Sequence, residues 1–142
     1  MNIKLRVANL VAKSGTTNPY HIANDLGIDI LPFGLPPSIR GFLVRVLRRK
    51  IIMVNDSLDE TAQMVTICHE IGHARLHAGY GYYYHTDGTH YVPSKRKREA
   101  NEFGLHLLSY SHDFEVDVWA NVLSNKRPDP NVVHRILNEL CC

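Results

Sequence analysis

Residues 57–78 read SLDETAQMVTICHEIGHARLHA and carry the most strongly marked helical pattern of the chain. Ser57 is a favourable N-cap residue, and Glu60, three residues later, completes a capping box. Gly79 can end the helix after Ala78. Apolar side chains occur on nearly every side of this segment, which is typical of a helix that is buried in the core. The sequence therefore predicts a central, buried helix from Ser57 to about Ala78.

Two histidines four residues apart lie within this helix. The segment His69-Glu70-Ile71-Gly72-His73 fits the pattern H-E-x-x-H. Residues at this spacing lie one turn apart on the same face, so both imidazoles can bind one Zn²⁺. Glu70 borders that face and can accept a proton from metal-bound water as a general base. Buried histidines that bound nothing would be costly. We therefore predict a catalytic zinc site with His69 and His73 as ligands and Glu70 as catalytic base.

A catalytic zinc site usually has three protein ligands and one open position. A metzincin would place its third histidine at position 79, after a glycine at position 76. These positions hold Gly79 and Leu76, so the metzincin class is excluded. His77 follows His73 by one turn, and we expect it to pack against or orient the ligands rather than to bind the metal.

A second predicted helix, from Ser94 to about Leu108, offers the third ligand. Glu99 lies at the edge of its apolar stripe and can turn into the site, whereas Glu102 lies about 100° away from Phe103 in that stripe and is expected to face water. His106 is a less favoured candidate. The predicted third ligand is therefore Glu99, which gives a gluzincin-like ligand set.

Length and composition limit the class of protein. The chain has 142 residues, of which 44% are hydrophobic and 21% charged, and its formal net charge is +2. These values predict one globular domain over residues 1–142, with no direct binding to nucleic acid or to a membrane. No apolar run approaches the length of a membrane span or of a signal-peptide core. Three cysteines do not form a disulfide framework, and a reducing cytoplasm is therefore expected.

The remaining segments predict helices around a small β-sheet, which is the α+β class. Gly41 to Asn55 resembles a hairpin with an exposed basic turn at Arg48-Arg49-Lys50, and Tyr80 to Pro93 is predicted to be a loop. The other predicted elements are helices over Asn2–Lys13, from near Asn18 to Gly27, over Phe114–Leu123 and over Asn131–Leu140, and a short strand over Ile28–Leu31.

Beyond the H-E-x-x-H pattern, longer segments resemble one family. HEIGHARLH at 69–77, EANEFG at 99–104 and the double leucine at 107–108 strongly resemble the ImmA/IrrE metallo-endopeptidases, over roughly Pro19 to Leu108. The resemblance implies a compact zincin-like domain with one zinc ion on His69, His73 and Glu99, and with Glu70 as base. It also implies cleavage of a cytoplasmic transcriptional repressor of the phage or mobile-element type. Gly104, where the family often has alanine, and Ser109-Tyr110 depart from the family pattern.

Several assignments stay open at this stage. Groups that could orient a ligand or stabilise the transition state are His77, Asn101, Tyr83, His85 and His90. The expected partner is a protein substrate, a helix-turn-helix repressor according to the resemblance. The alternative is a regulatory module that binds a repressor or another protein without cutting it. A more remote alternative is a DNA-binding regulator built around Lys95 to Arg98, against which the small net charge argues.

Overall fold

The computed structural model describes residues 2–77, 82–86 and 94–110, which form four helices and one four-stranded sheet. In chain order the elements are α1 (Ile3–Ser14), α2 (Pro19–Asp25), β1 (Ile28–Phe33), β2 (Ile39–Val46), β3 (Arg49–Asn55), α3 (Glu60–Leu76), β4 (Tyr82–Thr86) and α4 (Ser94–Leu108). The α+β class is confirmed. The helices predicted over 114–123 and 131–140 lie outside the described residues. Among the helices that are described, none is long and apolar enough to cross a bilayer.

The first two helices begin and end where the sequence predicts. The Asn2 side chain caps α1 by accepting a hydrogen bond from the Leu5 backbone N–H, and Gly15 ends it with a left-handed φ of 69°. Asn18 caps α2, and Pro19 occupies its first turn, where no backbone donor is needed. Local signals therefore set both helices.

The sheet has the strand order β1-β3-β2-β4. Strand β1 runs parallel to β3, whereas β2 runs antiparallel to both β3 and β4. The predicted hairpin is formed by β2 and β3, but its turn differs from the prediction. Val46 is paired with Arg49, so the turn consists of Leu47 and Arg48, and Arg49 and Lys50 belong to β3. Of the three basic residues, only Arg48 therefore lies in the turn, whereas Arg49 and Lys50 continue the strand pairing.

Strand β4 corrects the prediction of a continuous loop from Tyr80 to Pro93. Residues 82–86 pair with β2, with Tyr83 opposite Leu43 and His85 opposite Gly41. Gly and His on either side of this segment favoured a loop. However, its tyrosines and Thr86 have high β-propensity, and the edge of β2 supplies backbone partners that no local pattern reveals.

The start of α3 also differs from the prediction. The N-cap residue is Asp59, whose carboxylate accepts a hydrogen bond from the Ala62 N–H at 2.7 Å. The Ser57 hydroxyl instead donates to Oδ1 of Asn55 at 2.8 Å. Asn55 is almost fully buried, and its amide also donates to the Ile39 carbonyl at 2.9 Å. Because Asn55 fixes Ser57 at the end of β3, the predicted Ser57–Glu60 capping box does not form.

Close packing of α3 against α4 positions the functional side chains. A Cβ atom on Gly72 would lie 3.0 Å from the Ala100 carbonyl oxygen and 3.1 Å from the Phe103 Cβ. A Cβ atom on Gly104 would lie 3.2 Å from the backbone nitrogen of His69. The two glycines therefore allow the helix backbones to approach closely at the level of the histidines. The same helix α3 also contacts β2 and β3.

The sheet also packs closely against α3 at Gly41, which predicts a measurable stability effect. A Cβ atom there would lie 2.6 Å from the Met53 carbonyl oxygen and 2.7 Å from Cγ2 of Thr66. We expect Gly41→Ala to lower the free energy of unfolding by about 1–3 kcal/mol in urea denaturation, because backbone must move to admit the methyl group. Gly34→Ala is the control, since nothing lies within 4 Å of its Cβ position. Equal stability of the two variants would contradict this packing.

Candidate metal centre

Helix α3 brings two imidazoles together in the core. His69 and His73 are each 1% exposed, and their Nε2 atoms are 3.1 Å apart. The rings meet edge to face, with centroids separated by 4.7 Å. The four-residue spacing thus brings the two Nε2 atoms close together on one face of the helix, as that spacing predicts.

Asn101 of α4 fixes the proton of the first histidine. Its side-chain oxygen Oδ1 is 2.6 Å from Nδ1 of His69, and both side chains are buried. Because an amide oxygen can only accept, Nδ1 of His69 donates this hydrogen bond. Burial lowers the pKa of His69 to about 3, although the Asn101 contact opposes that shift. His69 is therefore neutral near pH 7, with a lone pair on Nε2.

A second hydrogen-bonded chain fixes the proton of His73. Nε2 of His77 is 3.3 Å from Oε1 of Glu99, and Nδ1 of His77 is 3.0 Å from Nδ1 of His73. Burial lowers the pKa of His77, which favours the neutral ring. A neutral His77 that donates from Nε2 to the carboxylate must accept at Nδ1, so His73 donates from its own Nδ1. The lone pair of His73 therefore also lies on Nε2.

The two chains together create a pair of facing acceptors. Lone pairs on nitrogen atoms only 3.1 Å apart repel each other unless a cation lies between them. Two nitrogens that bind one tetrahedral zinc at 2.0–2.1 Å would be separated by about 3.3 Å. The spacing and the protonation of His69 and His73 therefore fit a divalent metal of this kind.

Glu70 lies beside this pair in an unusual environment. Its side chain is fully buried, its Oε1 is 4.0 Å from Nε2 of His69, and neither oxygen has a hydrogen-bond partner among the described residues. Burial raises the pKa of Glu70 well above its ordinary value, and the nearby backbone N–H of Leu43 opposes the shift only in part. Because the Leu43 N–H lies near Glu70 without satisfying either oxygen, the buried carboxylate is costly, and a neighbouring cation would offset that cost.

The third ligand stays a prediction. Glu99 lies next to His77 rather than at the point between the two Nε2 atoms. Over residues 2–77, 82–86 and 94–110, no three His, Cys, Asp or Glu side chains converge on one point. His106 is also buried, and burial together with the charge of Lys4 on α1 lowers its pKa to about 4.

Of the remaining candidate residues, two contact the histidine pair in the described part of the chain. Asn101 and His77 contact the histidine pair directly. Tyr83 and His85 lie in β4, beside β2, and His90 lies outside the described residues. Cys68 is fully buried in the core, and burial raises the pKa of its thiol. The sequence did not point to Leu43, whose backbone N–H acts on Glu70; its apolar side chain gives no signal of that role.

Comparison with known families shows to which family this chain belongs. Residues 23–116 match the IrrE N-terminal-like domain, the Peptidase_M78 family. The chain belongs to this metallopeptidase family. The resemblance to the ImmA/IrrE group is therefore confirmed.

A curated relative points in the same direction. The chain is 34% identical over 106 residues to the "Uncharacterized immunity region protein 2" of Bacillus phage phi105. The match covers 75% of this chain and 67% of that protein. This chain thus belongs to the peptidase family and is also similar to a protein from a phage immunity region.

Removing the Asn101 acceptor should weaken metal binding. We expect Asn101→Leu to reduce zinc affinity about 10–100-fold, because His69 loses the partner that keeps its Nε2 lone pair available. A chelator-competition titration measures this affinity, and the melting temperature of the metal-free protein reports any loss of folding separately. Asn101→Asp restores an acceptor and should recover most of the affinity. Wild-type affinity in Asn101→Leu would contradict the positioning role.

Proposed function

We propose that this protein is a zinc-dependent endopeptidase that cleaves a cytoplasmic transcriptional repressor and so relieves repression. The observation that carries the proposal is the buried pair of Nε2 atoms on His69 and His73, with Glu70 beside it. A module that only bound a partner would have no use for a buried carboxylate at this position. Kinship with a metallopeptidase family supports the same conclusion.

In the proposed reaction His69, His73 and Glu99 would hold the zinc ion. When bound, zinc supplies a Lewis acid that activates water and polarises the scissile carbonyl. Glu70 accepts the proton of the attacking water and delivers it to the leaving amine. Its burial raises its pKa, which suits the second half of this exchange, because the carboxyl group then holds the proton more readily until it passes to the leaving amine. Asn101 and His77 hold the two imidazoles in place.

The sheet suggests how an extended substrate is held. Strand β4 is at one end of the strand order, and β2 beside it contains Leu43, whose backbone acts on Glu70. An extended peptide could add to the β4 edge through main-chain hydrogen bonds and so align with the sheet that packs against α3. This mode accepts a chain segment rather than a small molecule, which is what an endopeptidase needs.

The substrate class rests on kinship rather than on geometry. Similarity to a phage immunity-region protein supports a repressor of the phage immunity type. We propose a helix-turn-helix repressor that is present in the same cytoplasm. The alternative, binding of the repressor without cleavage, differs in one observable: it leaves the repressor intact.

The test is Glu70→Gln, which removes the base and keeps the shape of the side chain. We expect the variant to retain its zinc and to cleave a co-expressed helix-turn-helix repressor from the same genome at least 100-fold more slowly. Glu60→Gln, in the exposed first turn of α3, is the matched control and should cleave like the wild type. Repressor fragments followed over time by mass spectrometry provide the measurement.

Two results would count against the proposal. Equal cleavage by Glu70→Gln and the wild type would remove Glu70 from the reaction. A repressor that binds the wild-type protein tightly and stays intact would favour the non-cleaving alternative.

A further inference from the structure

A surface cavity lies between α1, α3 and α4, on a side of α3 that the metal centre does not use. Its volume is about 260 Å³, and it is lined by Arg6, Asn9, Leu10, Lys13, Arg75 and Phe103. Arg75 follows His73 by two residues, which is about 200° around the helix. The cavity is therefore a separate site from the contacts described for the histidines.

The cavity concentrates positive charge. Arg6 and Lys13 lie on one face of α1, seven residues apart, and Arg75 faces them from the last turn of α3. No carboxylate is among the described lining residues, and these three cations form no ion pair within the described part of the chain. Burial lowers the pKa of Lys50, and the charges of Arg45 and Arg75 lower it further, so the charge of Arg75 also acts outside the cavity. With a net charge of only +2 for the whole chain, this is a local accumulation.

We propose that this cavity binds the phosphate group of a small phosphomonoester. Three cations and the Asn9 amide match a dianionic group, and arginine can donate two parallel hydrogen bonds to a phosphate. The volume of about 260 Å³ exceeds what a single phosphate fills and is just below the range of about 300–1,000 Å³ that is typical of small-molecule sites. Leu10 and Phe103 provide an apolar floor for the rest of the ligand.

Residues that line the cavity also contact or belong to the helix that carries the metal centre. Phe103 packs against Gly72, which lies between the two histidines of α3, and Arg75 belongs to the same helix. A ligand held by Arg75 and the α1 cations would therefore link α1 to α3 beside the contact of Phe103 with Gly72. We expect binding to raise the melting temperature, and this inference does not depend on the proposed peptidase reaction.

The test titrates the metal-loaded protein with phenyl phosphate, inorganic phosphate and the neutral analogue phenol, and follows the melting temperature and the heat of binding. We expect saturable binding of phenyl phosphate, weaker binding of inorganic phosphate and none of phenol. Arg6→Gln and Arg75→Gln should each weaken phenyl phosphate binding by roughly tenfold, since each removes a charged hydrogen bond. Arg48→Gln, in the exposed hairpin turn, is the matched control and should bind like the wild type.

Several results would overturn the assignment. Absence of saturable binding would do so, and so would equal binding by the wild type, Arg6→Gln and Arg75→Gln, which would place the phosphate at the metal instead. Tighter binding of a DNA duplex than of phenyl phosphate, lost in the same two variants, would identify a nucleic-acid surface rather than a small-ligand site. None of these results involves cleavage. A failure of the phosphate-binding proposal therefore does not affect the proposed peptidase reaction, which Glu70→Gln tests separately.

Discussion

The close approach of α3 and α4 at Gly72 and Gly104 is the constraint on which the site depends. Any side chain at these two positions would press on the backbone of the opposite helix. The short distance lets Asn101 reach His69 and lets Glu99 reach His77. The glycines therefore act on the chemistry through distance alone, since they contribute no side chain to it.

The hydrogen bonds that follow from this packing determine what the histidine pair can do. Asn101 and His77 both engage Nδ1 atoms, so both Nε2 atoms are left to face one point. Polar groups buried in this way are stable only when each is satisfied, and two acceptors cannot satisfy each other. Glu70 adds a buried carboxylate beside the pair, with its Oε1 4.0 Å from Nε2 of His69. The arrangement thus favours a cation through three separate groups.

Local signals predicted a large part of the fold, and non-local contacts account for the differences. Asn2, Gly15 and Asn18 act within their own turns, so α1 and α2 were predictable. The cap of α3 was not, because Asn55 draws Ser57 into contacts at the end of β3. Strand β4 depends on the edge of β2, from which it is separated along the chain by β3 and α3.

Within the site, too, local contacts could be predicted and contacts between helices could not. The spacing of His69 and His73 predicted their meeting, and the family motif pointed to Asn101. The contact between His77 and Glu99 joins two helices, and no spacing within one helix reveals it.

The measurement that tests the central claim most directly is the zinc content per chain of gently purified protein, determined by elemental analysis. The wild type, His73→Ala, Glu99→Ala and the control Glu60→Ala would be compared side by side. We expect about one zinc per chain in the wild type and in the control, and a clear loss in the other two variants. A wild-type protein that is free of metal and takes up none when zinc is added would contradict the account.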